Sequence, residues 1–305
     1  RFSMDYVMRT YGLTKKYKNK TVLDSVNINV RKGDIYGLIG RNGAGKTTLI
    51  KLAAAIASPS GGSIELFGSS DLNFQRRRIG TIIEYPAVYP TLTAKQNLEV
   101  YRRLYGIPDE KAVDRMLDTV GLSDTGRKPA KAFSLGMKQR LGIAAALLGN
   151  PDLLLLDEPI NGLDPEGISD IRELLIRLNS ENNITMLISS HILSELSKTA
   201  TCYGVISEGQ LVEEITADEL SANCKRCLKI TVSDPSKAST VLENVLGTSN
   251  YDILPDNMIR LFDYIDESGK VVKALVENGV DVNAAVPSGA DAEEYFLEKM
   301  GVKKK

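Results

Sequence analysis

The stretch Gly40-Arg41-Asn42-Gly43-Ala44-Gly45-Lys46-Thr47, followed by Thr48, matches G-x-x-x-x-G-K-[ST], a spacing suited to wrapping a polyphosphate. The glycines leave room for successive backbone N–H groups to point at phosphate oxygens. A helix that opens where the loop ends adds a dipole worth about 0.3–1 kcal/mol. Lys46 supplies a point charge to the outer phosphates, and the Thr47 hydroxyl is a ligand for Mg²⁺, which keeps most of its octahedral shell as water and phosphate oxygen. A triphosphatase also needs a carboxylate beside the metal. Leu153-Leu154-Leu155-Leu156-Asp157-Glu158 provides it: four leucines make a strand buried on both faces, and Asp157 emerges at its C-terminal edge, where open α/β sheets bind ligands. Asp157 is placed to hold the metal through water. Glu158, one residue on, is placed to polarise an attacking water, a role worth typically about 10²–10⁴-fold.

These groups need a sheet to carry them. Up to about Asn223, short β-branched or leucine-rich runs at 35–39, 153–156, 185–189 and 204–207 alternate with helical patterns, among them 46–57 and 165–179. That β-then-α rhythm predicts a parallel sheet covered on both faces. Residues 92–148 contain no strand-like run and break at Gly106-Ile107-Pro108 and Gly121, which predicts a helical insertion. Beyond Asn223 the pattern changes to strand 227–232, helix 235–246, strands 251–254 and 258–264, helix 269–278, strand 280–286 and helix 291–300. The inner six elements run β-α-β-β-α-β, the split, ferredoxin-like arrangement.

A length of 305 residues suits one large domain with a small one, or two medium ones. With 43% hydrophobic and 25% charged residues, disordered, collagenous and low-complexity classes are excluded. Lys plus Arg against Asp plus Glu is 38 minus 39, or −1, so nothing draws the whole molecule onto nucleic acid or anionic lipid. The longest near-apolar stretches, 141–149 and 153–156, fall short of the roughly 20 residues that span a bilayer. The beginning of the chain shows no apolar signal region, and Met4 reads as the natural start. Three cysteines, Cys202, Cys224 and Cys227, suit a reducing compartment. Cys224 and Cys227 form a C-x-x-C that could ligate zinc or exchange a disulfide. No second pair or nearby histidine completes a tetrahedral site, so ordinary thiols are the weightier reading.

Across residues 5–223 these features resemble the nucleotide-binding subunit of ATP-binding cassette (ABC) transporters. The resemblance implies a P-loop NTPase fold of ABC type with a helical subdomain over about 92–148; the pattern beyond it predicts a small α+β, ferredoxin-like accessory domain over 224–305. Phe133-Ser134-Leu135-Gly136-Met137 occupies the place of the family's L-S-G-G-Q signature, with Leu135 for Gly and Met137 for Gln. Ser134 and Gly136 at a helix start form a second phosphate site. In the family it serves the partner subunit's ATP, which implies a head-to-tail homodimer closing on two ATP molecules with Mg²⁺. His191, the one histidine, stands where the family keeps a switch histidine on the γ-phosphate. Asn161-Gly162-Leu163-Asp164 resembles the D-loop, with Asp164 bridging the subunits, and Tyr17 matches the aromatic that stacks on adenine. Where most members have glutamine, Ile82-Ile83-Glu84-Tyr85-Pro86 places Glu84. It keeps an oxygen for Mg²⁺ or water but adds a negative charge beside phosphates.

The stretch from Glu84 to Ala94 and the segment Ala292-Glu293-Glu294-Tyr295-Phe296-Leu297 resemble the bacitracin-resistance and lantibiotic-immunity branch. That implies ATP hydrolysis powering separate transmembrane permease subunits, against which Glu84 to Tyr89 lie, for export of or immunity to antimicrobial peptides. The implied location is cytoplasmic, peripheral on the inner face of the cell membrane, with no nucleic acid partner. Two rivals remain: a soluble ABC-type ATPase acting on ribosomes or DNA, and a nucleotide-dependent sensor. The C-terminal residues carry no catalytic constellation and read as a packing or regulatory appendage.

Overall fold

The computed structural model describes residues 6–224, 226–288 and 292–301; Met4, and position 291 where the last helix is expected to start, lie outside them. The chain begins with β1 (Tyr6–Tyr17), β2 (Lys20–Val26), β3 (Asn29–Arg31), β4 (Ile35–Ile39), α1 (Lys46–Ala53), β5 (Gly61–Leu66), α2 (Leu72–Gln75) and β6 (Ile79–Ile82). Three helices follow, α3 (Ala94–Leu104), α4 (Lys111–Thr119) and α5 (Leu135–Leu147). Next come β7 (Leu153–Asp157), α6 (Pro165–Asn182), β8 (Thr185–Ser190), α7 (Leu193–Leu196), β9 (Cys202–Ser207), β10 (Gln210–Thr216) and α8 (Ala217–Cys224). The last run is β11 (Cys227–Val232), α9 (Pro235–Asn244), β12 (Tyr251–Leu254), β13 (Met258–Leu261), α10 (Ser268–Glu277), β14 (Val282–Ser288) and α11 (Ala292–Lys299). The chain divides into two compact units, the first running to Ala217 and taken up again from Lys299, the second Asp218–Glu298.

The first unit is built on a six-stranded sheet of order β10-β9-β4-β8-β7-β6. Its pairs are parallel except for β9 with β10. Every residue of β4, β7 and β8 is buried, as unbroken apolar runs covered on both faces require. Register aligns Ile39 with Ser190 and Asp157 with Ser189, so three strands deliver their chain ends to one edge. α1 stops at Ala53, short of the expected 57. The N–H groups of Ile56 and Ala57 both turn back to the Lys51 carbonyl, and Ala55 takes φ 62°.

A second sheet, β2-β1-β3 with β5 also on β1, is antiparallel. Its strands escape the alternation test because β1 is bulged against each neighbour and bends at Gly12 (φ 56°), which breaks the period of two. Its inner side chains, including Met8, Leu13, Leu23 and Leu66, pack with Leu38 and Leu49 of β4 and α1 in one core. β10 was missed for another reason: as an edge strand paired only with β9 it reads polar, Gln-Leu-Val-Glu-Glu-Ile-Thr. From 92 to 148 the described residues form helices and turns with no strand. α3 opens on a capping box between Thr93 and Gln96.

The second unit carries an antiparallel sheet of order β12-β13-β11-β14, the pairing that a split β-α-β-β-α-β chain produces. α9 and α10 bury Leu242, Val271 and Leu275 against Leu228, Ile230, Ile259 and Leu261. Asp234 caps α9 by accepting the N–H groups of Ser236 and Lys237. Several boundaries move from expectation, among them the end of α9 at Asn244 and of β14 at Ser288. β13 ends at Leu261 ahead of Tyr264 at φ 55°. β14 starts at Val282, because the Val280 N–H is held by the Leu275 carbonyl at the end of α10.

Burial pushes the Cys202 thiol up to about 12 and raises that of Cys227, which is buried in β11. Both are therefore poor thiolates at neutral pH. A thiol reagent at pH 7.5 is expected to label Cys202 and Cys227 at least about 10-fold more slowly than free cysteine, and fully once the chain is denatured. Labelling of either at the free rate would contradict that.

Candidate functional site

β4 delivers the chain to Gly40, where a Cβ would stand 2.5 Å from the Ile206 carbonyl oxygen. The loop returns at Gly45, with φ 115° and a Cβ position 2.6 Å from Leu23 Cδ2 and 2.9 Å from the Val22 carbonyl oxygen. Only glycine fits there. Lys46 then opens α1. The loop encloses a cavity of about 190 Å³, lined from Arg41 through Thr48 by every residue but Ala44, together with Val22, Glu158, Asn161 and His191. Ala44 instead joins the hydrophobic core.

Lys46 is 5% exposed, and a buried ammonium needs partners. Its Nζ donates to the Gly40 carbonyl at 2.6 Å and lies 3.2 Å from Glu158 Oε1. The other carboxylate oxygen, Oε2, is 2.7 Å from His191 Nδ1 and accepts the His191 backbone N–H at 3.3 Å. Glu158 thus bridges the loop lysine and the histidine at the end of β8. Its backbone adopts φ 50°, and its N–H donates to Ser189 Oγ at 3.0 Å.

Beside it, Asp157 Oδ1 accepts from Thr47 Oγ1 at 3.1 Å and from Ser189 Oγ at 2.6 Å. The Ser189 hydroxyl therefore fixes both acids at once, donating to one and accepting from the backbone of the next. Sequence reasoning missed Ser189, Val22 and Asn161 as site residues. A buried serine pair, Ser189 and Ser190, ending an apolar strand was the available signal. Thr47 and Asp157 offer hard oxygen donors side by side at the loop, a donor set that fits Mg²⁺, whose shell is mostly water and phosphate.

The remaining expected residues lie apart from this cavity. Tyr17 is 45% exposed at the end of β1, with Lys15 Nζ 4.8 Å from its ring centroid, and it does not line the cavity. Glu84, at φ 63°, directs its carboxylate to Lys51 Nζ at 2.6 Å, which raises the Lys51 ammonium. It is not joined to Thr47 or Asp157. Ser134 caps α5 by accepting the Met137 N–H at 3.2 Å, and is exposed beside Leu135, 43% exposed. A Cβ on Gly136 would meet nothing nearer than 3.9 Å. Asp164 caps α6 by accepting the Gly167 N–H at 3.0 Å. Leu135 Cδ2 would sit 3.4 Å from a Cβ on Gly162, so the start of α5 packs against the turn that precedes α6. Ser134, Gly136 and Asp164 form a second surface, and none of them reaches the cavity of its own chain.

Residues 23–161 match the family model described as ABC transporter. The chain is 44% identical over 301 residues to the bacitracin transport ATP-binding protein BcrA of Bacillus licheniformis, covering 98% of each chain. It is 44% identical over 208 residues to the lantibiotic transport ATP-binding protein SrtF of Streptococcus pyogenes, covering 68% of this chain and 90% of that one. A solved ATP-binding subunit of an ABC transporter superposes with a TM-score of 0.63 at 29% identity, over 71% of this chain and 92% of that one.

Proposed function

The chain belongs to the ABC transporter family as an ATP-binding subunit that hydrolyses ATP to drive transport, and we propose that its cavity supplies only half of each working site. Lys46 and the loop amides grip the triphosphate, with Arg41, Asn42, Gly43, Gly45 and Thr48 shaping the cradle. Thr47 and Asp157 would hold Mg²⁺, which neutralises charge on the outer phosphates. Glu158 orients the attacking water and takes its proton, while His191 holds the carboxylate and meets the γ-phosphate. Ser134 and Gly136 cap the triphosphate bound by a second copy, Asp164 lies between the copies, and Tyr17 stacks on adenine. Glu84 adds a metal or water contact when it leaves Lys51. Residues 5–223 form the ATP-binding domain and residues 224–305 an accessory domain.

The observation that carries this reading is the separation of the two surfaces. A helix start with an exposed serine and an open glycine suits an anion, yet it lies outside the cavity lined by Lys46 and Glu158. Two copies facing head to tail unite them.

Among the described residues no helix is long and apolar enough to cross a membrane. In this reading, movement of the paired copies acts on separate permease subunits at the inner face of the cell membrane, as the membership in the ABC transporter family supports. The names of the similar proteins point to antimicrobial peptides as the substance expelled or excluded. Deleting the gene is expected to lower the host's minimal inhibitory concentration for bacitracin or a lantibiotic, with rescue by the intact gene and none by Glu158→Gln. An unchanged concentration for both peptide classes, from a chain that still hydrolyses ATP, would refute peptide transport while leaving the ATPase assignment standing.

A further inference from the structure

The turn and short helix that follow β8 decide where His191 sits, and α7 spans only Leu193–Leu196. On one side of His191, Ser190 is buried and its Oγ accepts the Ile192 N–H at 2.9 Å, which pins the turn locally. On the other side, a cavity of about 20 Å³ separates the end of β8 and the turn after Glu158 from α6 and α7. Its walls include Ile160, Ile168, Leu175 and Leu196, so apolar packing between α7 and α6 is incomplete there.

Arg172 and Glu195 bridge this gap. Arg172 Nη1 reaches Glu195 Oε2 at 2.7 Å, while its Nη2 donates to Ser169 Oγ at 3.0 Å, fixing the guanidinium on α6. Lys198, and also Arg172, hold the Glu195 carboxyl below the usual carboxylate range. Both partners are largely shielded from water, at 24% and 19% exposure, where a charge-assisted pair is less screened than at the surface. Arg172 stands on the helix capped by Asp164, and Glu195 lies in α7, four residues after His191.

We propose that Arg172 and Glu195 are a positioning pair that holds His191 against Glu158 and ties that contact to the helix capped by Asp164. Neither residue touches the cavity that holds the nucleotide loop. They act through the histidine, and the inference rests on the role assigned above to His191. Movement of Asp164 at the face between two copies is carried along α6 to Arg172, and through Glu195 to the switch.

The test is ATPase kinetics on the full chain for Arg172→Ala, the isosteric Glu195→Gln, the charge swap R172E/E195R, His191→Ala and the double variant R172A/H191A. Misplacing a reacting group by about 1 Å can cost about 10²-fold. Arg172→Ala and Glu195→Gln are therefore expected to lower kcat about 10-fold with KM for ATP within about 2-fold, and the charge swap to regain most of the loss. His191→Ala is expected to cost more, and adding Arg172→Ala to it to change kcat by less than about 2-fold, because a residue acting through the histidine has nothing left to position. Wild-type kcat in folded Glu195→Gln, or losses that multiply in the double variant, would overturn the pair. Wild-type kcat in His191→Ala would instead overturn the role of the histidine, and the pair with it.

Discussion

Glu158→Gln is expected to reduce steady-state ATP turnover at least about 100-fold while ATP still binds. Gln has the shape of Glu and can still meet His191 Nδ1, whose 2.7 Å contact to Oε2 sets the side chain's direction. It cannot accept a proton from water. It also ends the ion pair to Lys46, which lies 3.2 Å from Oε1, and so leaves the ammonium to the phosphates alone. Binding is therefore expected to hold or tighten as turnover falls. Turnover within a few-fold of wild type would remove Glu158 as the base.

Lys46→Ala should fail one step earlier, at binding. A hydrogen bond to a charged group contributes about 1.5–3 kcal/mol, and tenfold in affinity is about 1.4 kcal/mol, so ATP affinity should fall by about 10- to 100-fold. The loss has two sources. The phosphates lose their buried cation, and Glu158 Oε1, left without Lys46, adds an unneutralised charge beside them. A fluorescent ATP analogue titrated into both variants separates them: Glu158→Gln retains it and Lys46→Ala does not. Equal, undiminished binding by Lys46→Ala would show that the loop amides suffice.

The phosphate loop was legible because its chemistry constrains the backbone. At Gly45 a positive φ and two contacts under 3 Å exclude any side chain, so residue type and geometry are nearly the same statement. Asp157 and Glu158 were legible because a run of only four leucines, following Pro151 and ending in two acids, suits a short buried strand, and strands of that kind end at a ligand edge. The order of the second unit was legible because its apolar runs are short and bounded by turn residues such as Asp234, Pro235 and Gly279.

What stayed hidden depends on pairs distant in sequence. Ser189 matters because register sets it opposite Asp157, which no local pattern records. Lys51 and Glu84, 33 residues apart, meet across a loop, and Arg172 and Glu195 meet across a gap that only packing defines. The bulged strand β1 conceals its alternation in the same way, since each shift of register moves its apolar residues to a new face.

The shared pocket is tested most directly by the mass of the Glu158→Gln protein in solution, measured by sedimentation with and without MgATP. The chain has a mass of 33.3 kDa. Saturating MgATP is expected to double it, and Gly136→Asp, which places a negative charge where a neighbour's triphosphate would sit, is expected to abolish the doubling without unfolding the chain. A Glu158→Gln protein that binds ATP and stays at 33.3 kDa, or one that doubles regardless of Gly136→Asp, would show that the start of α5 does not close a second copy's site.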